Sequence, residues 1–241
     1  MNIRQFGVKL ANLITPSPRG GIGVGVVLLL IFFVSCSSEE ETYDPYHDWQ
    51  VRNESWFRSV ADSARTAIAE AKEQHGDDWD KDGNCQWRMF KRLDQAQNYN
   101  TGKLEDSICV RIIKNGTGDY SPTLSDSVRI SFRGWLMPNR NNVQVDSLMQ
   151  DVFTQTYFNQ FNEETAAPQL SSVSPFVQGF STALQYMVSG DDWMVYIPQQ
   201  LAYGANVNGN IPAYSTLQFQ IHMAAVYPCN SGVPTWKSRR K

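Results

Sequence analysis

Histidine is scarce in this 241-residue chain: His47, His75 and His222 are scattered, with no spacing that would bring two together. That argues against a metal centre, which needs several converging ligands, and no Ser/His/Asp set offers itself for nucleophilic catalysis. Charge is thin as well, 19% of residues with a net −3, and the only basic cluster is the terminal "KSRRK". Nucleic-acid binders carry a basic stripe with interleaved aromatics; none is present, which excludes nucleic acid as a partner. The longest apolar run, "IGVGVVLLLIFFV" from Ile22 to Val34, falls short of the ~20 residues a spanning helix needs. Cysteine is limited to Cys36, Cys85, Cys109 and Cys229, and no internal repeat is visible.

What is there begins with an address. Arg4, Lys9 and Arg19 precede the apolar run, giving it the flanks and length of a signal-peptide core. It closes in "FVSC", which resembles a bacterial lipobox with small Ser35 before Cys36, although Phe33 stands where such boxes usually carry Leu. The expectation is a lipoprotein signal over 1–35 and lipidation of Cys36; an ordinary secretory signal or an uncleaved anchor are the alternatives. The following "SSEEETYDPYHD" reads as a disordered acidic tether over 36–48. An acidic stretch directly after a lipidated Cys resembles the surface-export signal of Bacteroidetes lipoproteins. The expected location is therefore the cell envelope, with the chain held to the outer membrane by its lipid and facing either the periplasm or the exterior. In such an oxidising compartment the other three cysteines suggest one bridge and one thiol. Cys85–Cys229 is preferred because Cys109 sits inside a predicted strand, with three reduced thiols as the alternative.

The remainder is enough for one domain and a smaller appendage. From Trp49 to Lys72, the residues Trp56, Phe57, Val60, Ala64, Ala67, Ile68 and Ala71 recur at helical spacing. With "CQWRMFKRLDQ" read as a second short helix or turn, residues 49–105 form a small, mostly helical N-terminal region. The period then changes to two. "SICVRIIKNG" alternates and ends in an Asn115-Gly116 turn signal, and "SVRISFRGWL" sets Val128, Ile130 and Phe132 against Arg129, Ser131 and Arg133. "WMVYIP" is a short apolar strand, and "TLQFQIHMAAVY" turns Leu217, Phe219, Ile221 and Met223 inward and Gln218, Gln220 and His222 outward. Alternation of this kind belongs to an antiparallel sheet with one solvated face. A single helix interrupts the strands, with Ser174 as cap, Pro175 in its first turn, and Phe176, Phe180, Ala183, Leu184 and Met187 on one face. The class is α+β, one helix lying across the sheet.

Tyr203, Ile211 and Phe219 then surround a turn-rich loop, "LAYGANVNGNIPAYSTLQFQI", with no nucleophile or ligand near them. Aromatic and apolar groups converging beside a loop suggest a binding pocket rather than an acid–base site. Taken singly, inward aromatics such as Phe132, Phe180 and Phe219 are most often core; Tyr203-Gly204 at a strand–loop junction is harder to explain by packing.

Residues 174–223 carry, in order, Phe176-Val177, Gly179-Phe180, Met187 with Gly190, Pro198, Ala202-Tyr203-Gly204, Ile211-Pro212 and Thr216-Leu217-Gln218-Phe219. This series resembles the C-terminal half of FKBP-type peptidyl-prolyl cis-trans isomerases, and "DSVRISFRGWL" extends the likeness upstream. It covers roughly 106–228, with a poorly matching insert at 137–169 and a basic tail at 229–241. The resemblance implies a curved antiparallel half-barrel wrapped around one helix. It further implies catalytic roles for Tyr203, Phe153 and Phe180, and a substrate wall of Phe132, Thr154, Phe176, Val177, Ile211 and Phe219. The Val177 N–H and the Tyr203 hydroxyl would donate to substrate carbonyls; the substrates would be proline-containing polypeptides, with no cofactor or metal. The family usually has Tyr at the Phe132 position and Asp at the Thr154 position, two hydrogen-bond partners. Losing both together orphans neither, and leaves open a weakly active module that only binds proline-containing segments.

Two other patterns are weighed. "DWDKDG" (78–83) opens like a calcium loop, but its twelfth position is Met89 rather than the bidentate Glu such a loop needs. Ser63, Ser107, Ser127 and Ser147 sit in Asp-Ser-X triplets that resemble a short O-glycosylation signal.

Overall fold

The computed structural model describes residues 44–81, 83–93, 103–138 and 151–237. The expected signal, Cys36, most of the acidic tether, Ser147 and the last residues of the basic tail lie outside the described residues.

One antiparallel sheet dominates. Strands β1 (Trp87–Lys91), β2 (Ser107–Lys114), β6 (Asp192–Ile197), β7 (Leu217–Tyr227), β3 (Ser127–Trp135) and β4 (Val152–Gln155) lie in that spatial order. β5 (Gln169–Ser172) pairs with the first half of β3 and β4 with the second half. Register shifts at Ile112/Lys114, Arg129/Ile130 and Gly134/Trp135 mark bulges, which bend and twist the strands that carry them. The concave face closes on helix α2 (Gln178–Tyr186). Its Phe180, Ala183 and Leu184 pack with Ile108, Val110, Ile130, Val195, Ile197, Leu217 and Ile221 in the main core. The structure is thus the α+β half-barrel around one helix that the sequence implies.

The long helix α1 (Trp49–His75) forms as its spacing predicts and ends at Gly76. Phe57 and Ala61 meet Cys109 on the convex face, with Val60, Met89 and Tyr196 beside them. Because neighbouring residues of a strand face opposite ways, Ile108 and Val110 look inward toward α2 while Cys109 looks outward toward α1.

Four expectations need correction. First, "WRMFK" is neither helix nor turn but edge strand β1, paired with β2 from Trp87↔Arg111 to Lys91↔Ser107. The described part of 49–105 is still mostly helical, through the 27 residues of Trp49–His75, but it also adds a strand to the sheet. Second, α2 starts three residues later than its sequence cap suggests. Ser174 and Pro175 form a turn, Val177 holds the cap position, and the Ser181 hydroxyl reaches back to donate to Val173 O (2.8 Å). Third, Cys85, Cys109 and Cys229 are all free thiols. Cys85 precedes β1 and Cys229 follows β7, three strand positions away. At ~4.8 Å per position that exceeds the ~7 Å a bridge can span.

Fourth, the convex face of β3 and β7 is not solvated. Residues 155–168 lie across it. Gln155 Oε1 accepts from Arg133 Nε and Nη2 (2.9 and 2.7 Å), Asn159 O accepts from Arg133 Nη1 (3.0 Å), and Phe161 stacks on His222. Ser131, Arg133 and His222, all expected to face water, are buried.

The two readings outside the half-barrel change little. The Asp78 carboxylate is paired with Lys81 Nζ at 2.6 Å. Ser63 is exposed on α1, whereas Ser107 is buried.

Candidate functional site

The concave face does not close completely. Between the start of α2, strand β4 and the β6–β7 loop it leaves a cleft of about 690 Å³. Every residue that the resemblance implicates lines it: Phe132, Phe153, Thr154, Phe176, Val177, Phe180, Tyr203, Ile211 and Phe219. Four more complete the rim and had not been assigned to it: Pro175, Asn208, Gly209 and Asn210.

Each wall has a local cause. Phe180 lies one turn into α2 and forms the floor, with 1% of its surface exposed. Phe176 stacks on it at 4.5 Å, while Phe219 and Phe132 meet it edge-on at 4.8 and 5.5 Å. Phe153 from β4 stands edge-on to Phe219 at 5.3 Å. Such offset and edge-to-face pairs satisfy the ring quadrupoles and hold the rings in fixed orientations. The remaining wall comes from the loop. Asn208 and Ile211 exchange backbone hydrogen bonds (3.0 and 2.9 Å) around Gly209-Asn210. Gly209 has φ 55°, a conformation glycine adopts without steric penalty. That tight turn buries Ile211 at the cleft edge.

Among the described residues thirteen line the cleft, and Tyr203 brings its one phenol. No carboxylate, imidazole or thiol among the described residues lines it. What the cleft offers is an aromatic surface with two hydrogen-bond donors at its edge. Val177 sits at the N-terminal cap of α2, where backbone N–H groups have no intrahelical acceptor. The Tyr203 hydroxyl, half-buried, has no partner among the described residues. Phe132 and Thr154 line the same space with no acidic group between them.

The reverse side of the sheet holds the strongest electrostatic anomaly. His222 Nδ1 lies 3.2 Å from Asp192 Oδ2, and Gln220 Nε2 donates to both Asp192 oxygens at 3.1 Å. Lys114, Glu163, Tyr157 and Arg133 surround the pair. Burial, aided by the Lys114 charge, pushes His222 down to about 3. Burial also pushes Asp192 up to about 6, against the opposing pull of Gln220 and Lys114. The signs follow by linkage. Between pH 6.5 and 3 the unfolded histidine binds a proton that the buried one refuses, so acidification destabilises through His222. Between pH 6 and 3.8 the folded aspartic acid binds a proton that the unfolded one lacks, so acidification stabilises through Asp192. Asp192→Asn keeps an acceptor for Nδ1 and removes only the second effect. Urea denaturation at pH 6.5 and pH 4 should show this variant losing more stability on acidification than the wild type, by on the order of 1–2 kcal/mol. An unchanged difference would refute the assignment.

Comparison with known proteins follows the same lines. The model of the family described as FKBP-type peptidyl-prolyl cis-trans isomerase matches residues 118–224, a span that contains the whole cleft. A macrophage infectivity potentiator of Trypanosoma cruzi is 28% identical over 140 residues, covering 58% of this chain and 62% of that protein. The outer membrane protein MIP of Legionella longbeachae is 33% identical over 124 residues, 51% of this chain and 46% of that protein. The chain thus spans only part of the curated relatives it matches, 46–62% of their length. Among solved structures, a peptidyl-prolyl cis-trans isomerase from Pseudomonas syringae pv. tomato aligns with 70% of this chain and 95% of its own, at 22% identity and a TM-score of 0.40.

Proposed function

We propose that this chain, whose residues 118–224 match the model of the FKBP-type peptidyl-prolyl cis-trans isomerase family, catalyses rotation about X–Pro bonds of exported and envelope proteins. Rotation about a peptide bond faces ~18–20 kcal/mol because amide resonance is lost on the way. X–Pro bonds populate both isomers but exchange only over tens to hundreds of seconds. In the twisted state the carbonyl is less polar than in the planar ground state. An apolar, water-excluding cleft therefore favours the twisted form over the planar one, which is differential transition-state binding without a covalent step. Each ~1.4 kcal/mol of that preference is tenfold in rate.

A single observation carries this reading: one cleft collects five phenylalanines, Val177, Ile211 and Tyr203, and no nucleophile. In the proposed roles Phe180 is the floor under the proline ring, with Phe153 and Phe219 as side walls. The Val177 N–H and the Tyr203 hydroxyl donate to the carbonyls that flank the twisting bond. Lipid attachment at Cys36 would hold the domain at the membrane, close to chains emerging into the envelope.

A second reading, a module that binds proline-containing segments without catalysis, is favoured by Phe132 and Thr154. At those two positions the cleft offers a ring and a hydroxyl where family members usually pair a phenol with a carboxylate. The two readings separate in a prolyl-isomerisation assay of the full-length protein on a set of X–Pro peptides. Catalysis is expected, with kcat/KM reduced about tenfold by Tyr203→Phe, the worth of one well-placed hydrogen bond. Peptide binding without acceleration would sink the enzyme reading and leave the module.

A further inference from the structure

Helix α1 touches the cleft by a route the sequence does not announce. Its first turns hold two side chains that reach the β6–β7 loop from the far side. Trp49 Nε1–H donates to Ser215 Oγ at 2.9 Å, and the Ser215 hydroxyl donates to Pro212 O at 2.7 Å. Asn53 Nδ2 donates to Trp49 O at 2.8 Å, its Oδ1 accepts from the Thr216 N–H at 2.8 Å, and the Thr216 hydroxyl donates to Asn53 O at 3.3 Å. Three of these bonds, Trp49–Ser215 and the two between Asn53 and Thr216, join residues more than 160 positions apart. Asn53 is fully buried and Ser215, Thr216 and Trp49 nearly so. An asparagine sealed from water costs stability unless its amide is satisfied, and here both ends of the amide are engaged. The anchored segment, 212–216, directly follows Ile211 and carries the cleft wall back into β7.

We infer that Asn53 and Trp49 are positioning residues: they brace the loop that holds Tyr203 and Ile211, so that α1 is a working part of the cleft rather than a spacer. The loop's other hydrogen bonds are local, while Leu201 and Ile211 are buried in the main core. Asn208 and Ile211 pair with each other, and Tyr214 N–H donates to Gly204 O at 2.7 Å. Those bonds fix the loop's shape, whereas the bonds from α1 add polar anchors to the burial of Leu201 and Ile211 that sets its position against the sheet. A loop of fixed shape and free position would still move Ile211 relative to Phe219 and Phe180. Binding would then have to restore the order that the brace supplies in advance.

The consequence for peptide handling rests on the isomerase or binding reading above, but the brace itself is testable without it. Amide hydrogen exchange of the full-length protein should show residues 203–216 exchanging about tenfold faster in Asn53→Ala, equivalent to ~1.4 kcal/mol, with β2 and β3 unchanged. Trp49→Phe keeps the ring and removes one bond, and should give a smaller increase confined to the same residues. Phe57→Leu, which loosens α1 against the convex face instead, should leave the loop at wild-type rates. The dissociation constant of an X–Pro peptide should weaken in the order Trp49→Phe, then Asn53→Ala, and stay unchanged in Phe57→Leu. Loop protection equal to wild type in Asn53→Ala, or exchange raised evenly across the domain, would overturn the brace. A loosened loop with unaltered peptide affinity would overturn its role in the cleft while leaving the brace standing. Failure of the wild type to bind any X–Pro peptide would count against the function and not against the exchange result.

Discussion

Phe180→Ala is expected to cost about 3–5 kcal/mol of stability, the range for emptying a buried phenylalanine site, and to reduce isomerase kcat/KM by well over tenfold. Both effects come from one ring in two roles. Phe180 is 1% exposed and touches the rings of Phe132, Phe176 and Phe219, so its removal leaves a void that three aromatics border. It is also the cleft floor, on which the proposed function seats the proline ring. Urea denaturation gives the first effect. The assay, run well below the variant's denaturation midpoint, gives the second. Phe176→Ala separates the roles: Phe176 is only half-buried, so it should lose less stability for a comparable loss of rate. If Phe180→Ala folds and keeps wild-type kcat/KM, the floor assignment is wrong.

Much of the fold was legible because β3 and β7 alternate apolar and polar residues, and the alternation states which side is core. Where both faces are covered, the pattern loses that meaning. β1 reads "WRMFK", and its Met89 faces the α1 side while Phe90 stacks on Tyr186 and Trp193 on the other. With apolar residues on both faces it shows no clean period of two. The buried Ser131, Arg133 and His222 looked solvated for a related reason: polar residues on a strand signal water unless another segment covers them. Here Tyr157 and Phe161 do so from an insert with no period of its own. The start of α2 was misplaced because Ser174-Pro175 serves a turn as well as a helix cap, and only the bond from Ser181 to Val173 decides between them.

The site was more legible than its frame. Apart from Phe153 and Thr154, which lie in the poorly matching insert, and Phe132, its residues fall in the short ordered motifs of 174–223 that carry the family resemblance. The rim members Asn208, Gly209 and Asn210 were missed as cleft residues, although their turn signal was plain, because polar turn residues seldom announce contact with a ligand. The bonds from Asn53 had no sequence signal at all. A lone asparagine on an apolar helical stripe gives no hint of a partner more than 160 residues away.

Gly134→Ala should abolish most of the activity at a modest cost in stability. Gly134 sits on β3 two residues beyond Phe132. A Cβ there would stand 2.6 Å from Phe219 Cε1, 2.7 Å from Phe153 Cζ and 2.9 Å from Thr154 Cγ2. All three contacts are with cleft residues, so the strand needs glycine here to let the rings close over it. Phe153 and Thr154 are only half-buried on the short strand β4 and can yield outward. The overpacking should therefore cost about 1–3 kcal/mol and be relieved by displacing the cleft wall. Gly179→Ala provides the contrast. Its Cβ would meet Ile197 Cγ2, a side chain with no exposed surface and no room to retreat, so α2 must lift from β6 and stability must fall further. Plotted against stability lost, kcat/KM should fall much more steeply for Gly134→Ala than for Gly179→Ala. Equal activity loss per unit of stability would mean that Gly134 serves the fold alone, and that Phe153 and Thr154 are not the wall a substrate meets.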